Sequence, residues 1–125
     1  DHCVTGVQTC ALPICTWFTT HAWLGDGCTP AAAAFVQSYR QAYGAAPANA
    51  FAALGYDAAC LALDAHRRAG SDDPKALAAA LAATRGFEGV TGTIGYDRGP
   101  VPRKDVWIVE VAAGTRRLAE RHAAK

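Results

Sequence analysis

A chain of 125 residues is long enough for one domain at most; its formal net charge of +1 excludes a strongly charged polyanion binder. No stretch reaches the roughly 18 uninterrupted apolar residues that a membrane span needs. The 51% hydrophobic fraction holds 29 alanines but only 30 large side chains of the Leu, Ile, Val, Phe, Trp and Tyr types, so the expected core is thin and its helices need a larger partner surface than the sequence offers.

Residues 1–15 (DHCVTGVQTCALPIC) hold three of the five cysteines. They lack the positive start, apolar run and small-residue cleavage site of a secretory signal. Cys3 to Ile14 resembles the translation of a sequencing-adapter remnant, and residues 1–15 are expected to be a non-native leader; the alternative is a short native strand and turn. The cysteine spacing fits neither a disulfide framework nor a zinc clamp, even with His2 and His21 added. Cys28 and Cys60 then read as packing thiols.

From Thr16 to Trp23 the β-branched and aromatic residues predict a strand end, closed by Gly25, Asp26 and Gly27. Thr29 followed by Pro30 predicts a helix start, with Phe35, Tyr39 and Tyr43 in one stripe and Gly44 as the stop. That stripe reads as packing surface rather than as a cofactor box. After Pro47, Asn49 is the expected cap of a second helix with Leu54, Ala58, Leu61 and Ala65 on one face and Gly70 at its end. Asp73 and Pro74 repeat the start signal for a third helix carrying Leu77 and Leu81 and stopping at Gly86.

From Val90 the period becomes two, which predicts a half-buried strand with Val90, Gly92, Ile94 and Tyr96 on one side. Asp97 to Pro100 break it. Val106 to Val111 (VWIVEV) is nearly all apolar and predicts a strand covered on both faces. The last eleven residues carry a local charge of +3 through Arg116, Arg117, Arg121 and Lys125 against Glu120 and read as a solvated terminus. The order of elements is that of part of an α/β domain whose sheet neighbours this chain scarcely supplies.

No pattern asks for catalysis. The glycines Gly89, Gly92, Gly95 and Gly99 do not have phosphate-loop spacing and mark bends or close backbone approach. Cys60 and His66 lie about 120° off a common helical face. Asp57 and Asp64 share a face, where a solvated or helix-terminus role outweighs acid–base work. His21, His66 and His122 read as isolated, so no metal site is expected.

Taken in order, the segments FVQSYRQAYGAAP, AALGYDA, AGSDDP, FEGVTG, the YD at Tyr96 and Asp97, and VWIVEV closely resemble the C-terminal part of substrate-binding proteins of branched-chain amino acid ABC transporters. Each piece is weak alone; the ordered set is specific. It spans about residues 16–118, about the last third of a family member.

The resemblance implies a partial type I periplasmic-binding-protein fold of the α/β class, the C-terminal part of a two-lobed Rossmann-like sandwich. It implies first-lobe helices over about residues 22–91, a hinge crossing at 92–99, a return to the second lobe over 100–118 and a basic tail at 119–125. Hinge residues would be Thr20, His21, Gly92, Thr93, Ile94 and Gly95.

Phe51 matches an aromatic that in the family can touch the ligand side chain, with an ordinary core aromatic as the equal alternative. Other ligand-contacting positions would lie upstream of this segment. The Gly99-Pro100-Val101-Pro102 turn and the tail from Leu118 depart from the family pattern.

The implied function is extracytoplasmic, periplasmic binding of a branched-chain amino acid or a related small carboxylate or amide by hinge closure. No catalytic residue, metal or cofactor, no nucleic acid and no membrane span are expected, and ABC permease membrane subunits are the implied partners. Two alternatives are the sensor of an amide-responsive regulator of the same fold and a truncated product without function.

Overall fold

Local capping builds the helices in this computed structural model, which describes residues 16–123. The leader reading of residues 1–15 and Lys125 lie outside the described residues. Helix α1 (Pro30–Tyr43) starts as expected: Thr29 Oγ1 accepts from the Ala32 N–H, and Gly44 closes the helix at φ 75° with its N–H on the Arg40 carbonyl. Thr29→Ala leaves an N-terminal donor without this acceptor. It is expected to cost about 1 kcal/mol, read as a lower urea midpoint at unchanged slope.

Helix α2 (Phe51–Ala69) ends at Gly70 as predicted, but Asn49 is not its cap. Ala50 holds that position and has no capping side chain, while Asn49, one residue earlier, still accepts at Oδ1 from the Phe51 N–H at 3.0 Å. The buried face is also rotated from the expected one. It consists of Ala53, Asp57, Leu61 and Ala65, with Ala58 exposed, because a carboxylate occupies a core position that hydropathy assigns to solvent.

Helix α3 (Pro74–Ala82) begins at the Asp73 cap but stops before Gly86. The Ala80 carbonyl is taken by Arg68 Nη1 from α2 and by Thr84 Oγ1, which turns the chain out of the helix early.

The strand expected from Val90 is instead a short hairpin of β2 (Phe87–Gly89) and β3 (Gly92–Ile94), with Val90 and Thr91 as its two-residue turn. A period-two pattern cannot separate one strand from two when the turn residues are themselves β-branched and buried.

Strand β1 (Thr16–Thr20) ends three residues before Trp23. It pairs antiparallel with β4 (Val106–Ala112), which pairs on its other edge with β5 (Thr115–His122). The basic terminus is solvent-exposed, as expected, but its described part is mostly strand, and this chain supplies both neighbours of VWIVEV. Only one face of β4 is well covered: Trp107 and Val109 are buried, whereas Val106 is exposed.

The core lies between α1, α2 and the hairpin turn, around Ala22, Ala32, Phe35, Ala53 and Val90. Three of these five are alanine, as the composition foretold. The aromatic stripe forms, with Phe35–Tyr39 and Tyr39–Tyr43 ring centroids 5.8 and 4.5 Å apart, but only Phe35 enters the core. Phe35 also meets Tyr56 of α2 at 5.2 Å.

Candidate functional site

An open cleft of about 1150 Å³ lies where three segments meet: residues 18–27 leading out of β1, residues 47–51 with Leu54 at the start of α2, and residues 114–118 at the β4–β5 turn. Phe51 stands at its rim. As the first residue of α2 it is 75% exposed, so the core-aromatic alternative does not apply within this chain. Thr20 and His21 line the same cleft, where the chain leaves the sheet and enters the helical layer. Thr20 Oγ1 donates to the Ala22 carbonyl at 3.2 Å and Trp23 Nε1 to the Asp26 carbonyl at 2.8 Å, which shape this wall.

The cleft exceeds the roughly 300–1,000 Å³ of enclosed small-molecule sites, so these walls alone do not surround one amino acid. Its lining mixes the apolar Phe18, Leu24, Phe51 and Leu54 with His21, Asn49, Arg116 and Arg117. Arg117 Nε is engaged with Glu110 Oε2 at 2.7 Å. A smaller depression of about 550 Å³ runs beside α1, lined by residues that include Cys28, Val36 and Arg40.

Gly92, Thr93, Ile94 and Gly95 do not line the cleft; they form β3 and its exit. Their surroundings hold the residue that sequence reasoning misjudged. Asp57 is 2% exposed. Its Oδ1 accepts from the Val90 N–H at 2.7 Å, and its Oδ2 accepts from the Thr91 N–H at 2.8 Å and from Thr91 Oγ1 at 2.6 Å. It is thus a buried staple between α2 and the hairpin turn, not a solvated carboxylate. Asp64, one face-repeat along, is ion-paired instead with Arg68 at 2.8 Å.

The GYDA and GVTG segments contain both halves of this staple. The signal available in the sequence was Gly89: a Cβ there would lie 2.6 Å from Asp57 Oδ2, so only glycine lets the carboxylate reach the turn. At Gly92, φ is +111° and a Cβ would lie 2.9 Å from Asp105 Oδ2. Gly89 and Gly92 are thus close-approach glycines, as expected.

Asp105, 2% exposed, accepts from Arg121 Nε at 2.9 Å and from its Nη2, and that guanidinium lies 5.0 Å over the Trp107 ring. Lys104 Nζ donates to Thr91 Oγ1. Desolvation pulls the Lys104 pKa down, and the Asp57 and Asp105 charges offset part of that. In the exposed loop between them, the hydrogen bond from Arg103 holds the Asp97 carboxyl below its ordinary range.

His66 and His122 are not isolated: they pair with Asp72 at 2.7 Å and Glu120 at 3.2 Å. Cys60 lies near Tyr56, and its hydrogen bond raises the Tyr56 phenol pKa. Cys28 and Cys60 are half-buried free thiols. Among the described residues, no three His, Cys, Asp or Glu side chains gather as metal ligands, and no helix is long and apolar enough to cross a membrane.

Residues 12–116 match the family model described as periplasmic binding protein. Among solved structures, the chain is similar to a leucine binding protein, LivK, of Thermotoga maritima, with 37% identity and a TM-score of 0.72. It is similar also to the branched-chain amino acid transporter substrate binding protein LivJ of Streptococcus pneumoniae, solved in complex with isoleucine, at 27% identity and a TM-score of 0.70. An ABC transporter solute binding protein of R. palustris, in complex with benzoate, matches at 26% identity and a TM-score of 0.70. Each match covers 86% of this chain and 30% of the relative, so the chain spans about a third of the length of the solved relatives. A comparison with curated proteins yields no match.

Proposed function

Because the chain belongs to the periplasmic binding protein family and adopts part of the type I fold of that family, we propose that it supplies one wall of a solute receptor for branched-chain amino acids or related small carboxylates or amides. The observation that carries this reading is the exposed Phe51 at the rim of a cleft that also holds Thr20 and His21. An aromatic ring left 75% exposed at a helix start offers apolar area to a ligand side chain, and the polar groups beside it can orient a charged end.

The named ligands of two relatives, isoleucine and benzoate, each pair an apolar body with a carboxylate and suit such a surface. Binding here involves no covalent chemistry. In this reading residues 22–91 belong to the first lobe and 92–99 to a crossing, with 100–118 returning to the second lobe. Thr20, His21, Gly92, Thr93, Ile94 and Gly95 then absorb hinge rotation. Support comes from their places: Thr20 and His21 join the sheet to the helical layer, and β3 leads into the other connection. The receptor would work in the periplasm and deliver its ligand to ABC permease membrane subunits.

Amide chemical shifts recorded during titration with leucine, isoleucine or benzoate test the reading. One wall alone should bind weakly, with a dissociation constant of about 1 mM or higher. Shifts should concentrate at residues 20–23 and 49–54, and Phe51→Ala should weaken binding about fivefold to tenfold. Shifts confined to other segments, or a Phe51→Ala chain that binds unchanged, would remove the proposal's basis.

A further inference from the structure

The helical layer, which carries Phe51, and the sheet, whose β4–β5 turn forms the opposing wall of the cleft, are tied by one chain of polar contacts away from the cleft. It begins at the buried Asp57 carboxylate on α2, which holds the Val90–Thr91 turn through three hydrogen bonds. Thr91 has a single hydroxyl proton, spent on Asp57 Oδ2, so its oxygen is free to accept from Lys104. Lys104 stands directly before Asp105, whose carboxylate packs on Gly92 and is gripped by Arg121 of β5. The ammonium is therefore held on Thr91, the partner of Asp57, and feels the charges of two buried carboxylates, Asp57 on α2 and Asp105 just before β4.

We propose that Lys104 is a positioning residue for the cleft: its ammonium, held on Thr91 and through it on Asp57, sets the orientation of the sheet that bears residues 114–118 relative to the helix that bears Phe51. A contact made only for stability would not need a cation at this point, since a hydroxyl or amide could cap Thr91 equally well. The ammonium also attracts both carboxylates at once, which couples the two connections instead of satisfying one oxygen. Partial desolvation lowers its pKa, and those charges offset only part of that.

Segment-resolved hydrogen exchange on the whole chain tests this. Lys104→Met is expected to raise exchange at residues 90–92 and 105–109 by at least about fivefold while α1 (Pro30–Tyr43) keeps the wild-type rate. Lys104→Arg, which keeps a cation, should restore the wild-type pattern to within about twofold. Thr91→Val should reproduce the Lys104→Met pattern and Thr91→Ser should not; this pair carries the test if Lys104→Met fails to fold.

Unchanged exchange at the two segments, an equal rise in α1, or a Lys104→Arg chain as open as Lys104→Met would each overturn the proposal. The inference rests on the cleft reading, but exchange is read without ligand, so its failure is separable from a failure to bind leucine or benzoate.

Discussion

Replacing Asp57 by alanine is expected to destabilise the chain by about 3 kcal/mol or more, because two buried backbone donors and one hydroxyl lose their acceptor together. The Val90 and Thr91 N–H groups both donate to this one carboxylate, and Thr91 is fully buried, so water cannot take over without opening the hairpin. That cost is a large share of the roughly 5–15 kcal/mol that holds a typical domain together. In a core built mainly of alanine, the cooperative transition itself is at risk.

Asp57→Asn keeps the shape and one acceptor oxygen but turns an NH2 toward a backbone donor; its expected cost is smaller, about 2 kcal/mol. Urea unfolding followed by helical circular dichroism measures both. An Asp57→Ala chain within about 0.5 kcal/mol of wild type would show that the staple is incidental to stability.

Gly92→Ala is expected to be comparably severe, about 3 kcal/mol or more, for two separable reasons. The backbone sits at φ +111°, a conformation that side chains rarely adopt, and the new Cβ would meet Asp105 Oδ2 at 2.9 Å. That carboxylate cannot swing aside without leaving the Arg121 guanidinium. Gly89→Ala is a purely steric case, with the Cβ at 2.6 Å from Asp57 Oδ2 and no left-handed backbone.

Double-mutant cycles distinguish the two. Gly89→Ala should cost little once Asp57 is already alanine, since its obstacle is gone. Gly92→Ala should keep part of its cost in an Asp105→Ala background, where only the backbone strain remains. Additive costs for the Gly89 and Asp57 pair would mean that the two positions do not touch in solution.

Starts and stops were legible in the sequence wherever they depend on bonds three or four residues long. Thr29 with Pro30, Asp73 with Pro74, and the left-handed Gly44 and Gly70 each act on their own helix turn, and a local pattern suffices to read them. The ordered set from AALGYDA through FEGVTG to VWIVEV likewise sufficed to indicate the family.

The hairpin was not legible. Its turn is set by a carboxylate 33 residues upstream, and hydropathy assigns an aspartate on a helix to solvent unless the partner donors are known. Neither was β5, because a strand of Arg116, Arg117, Glu120, Arg121 and His122 has no apolar alternation to reveal it. It forms because β4 offers an unpaired edge and because Asp105 takes Arg121 from 16 residues away.

What the sequence determined by itself, then, was composition, capping and kinship: an alanine-rich set of helices from a two-lobed binding fold, with a core that three alanines can only thinly fill. The tertiary structure decided which polar groups are buried. A buried charge depends on whether distant donors converge on it, and that convergence is a property of the folded chain and of no segment within it.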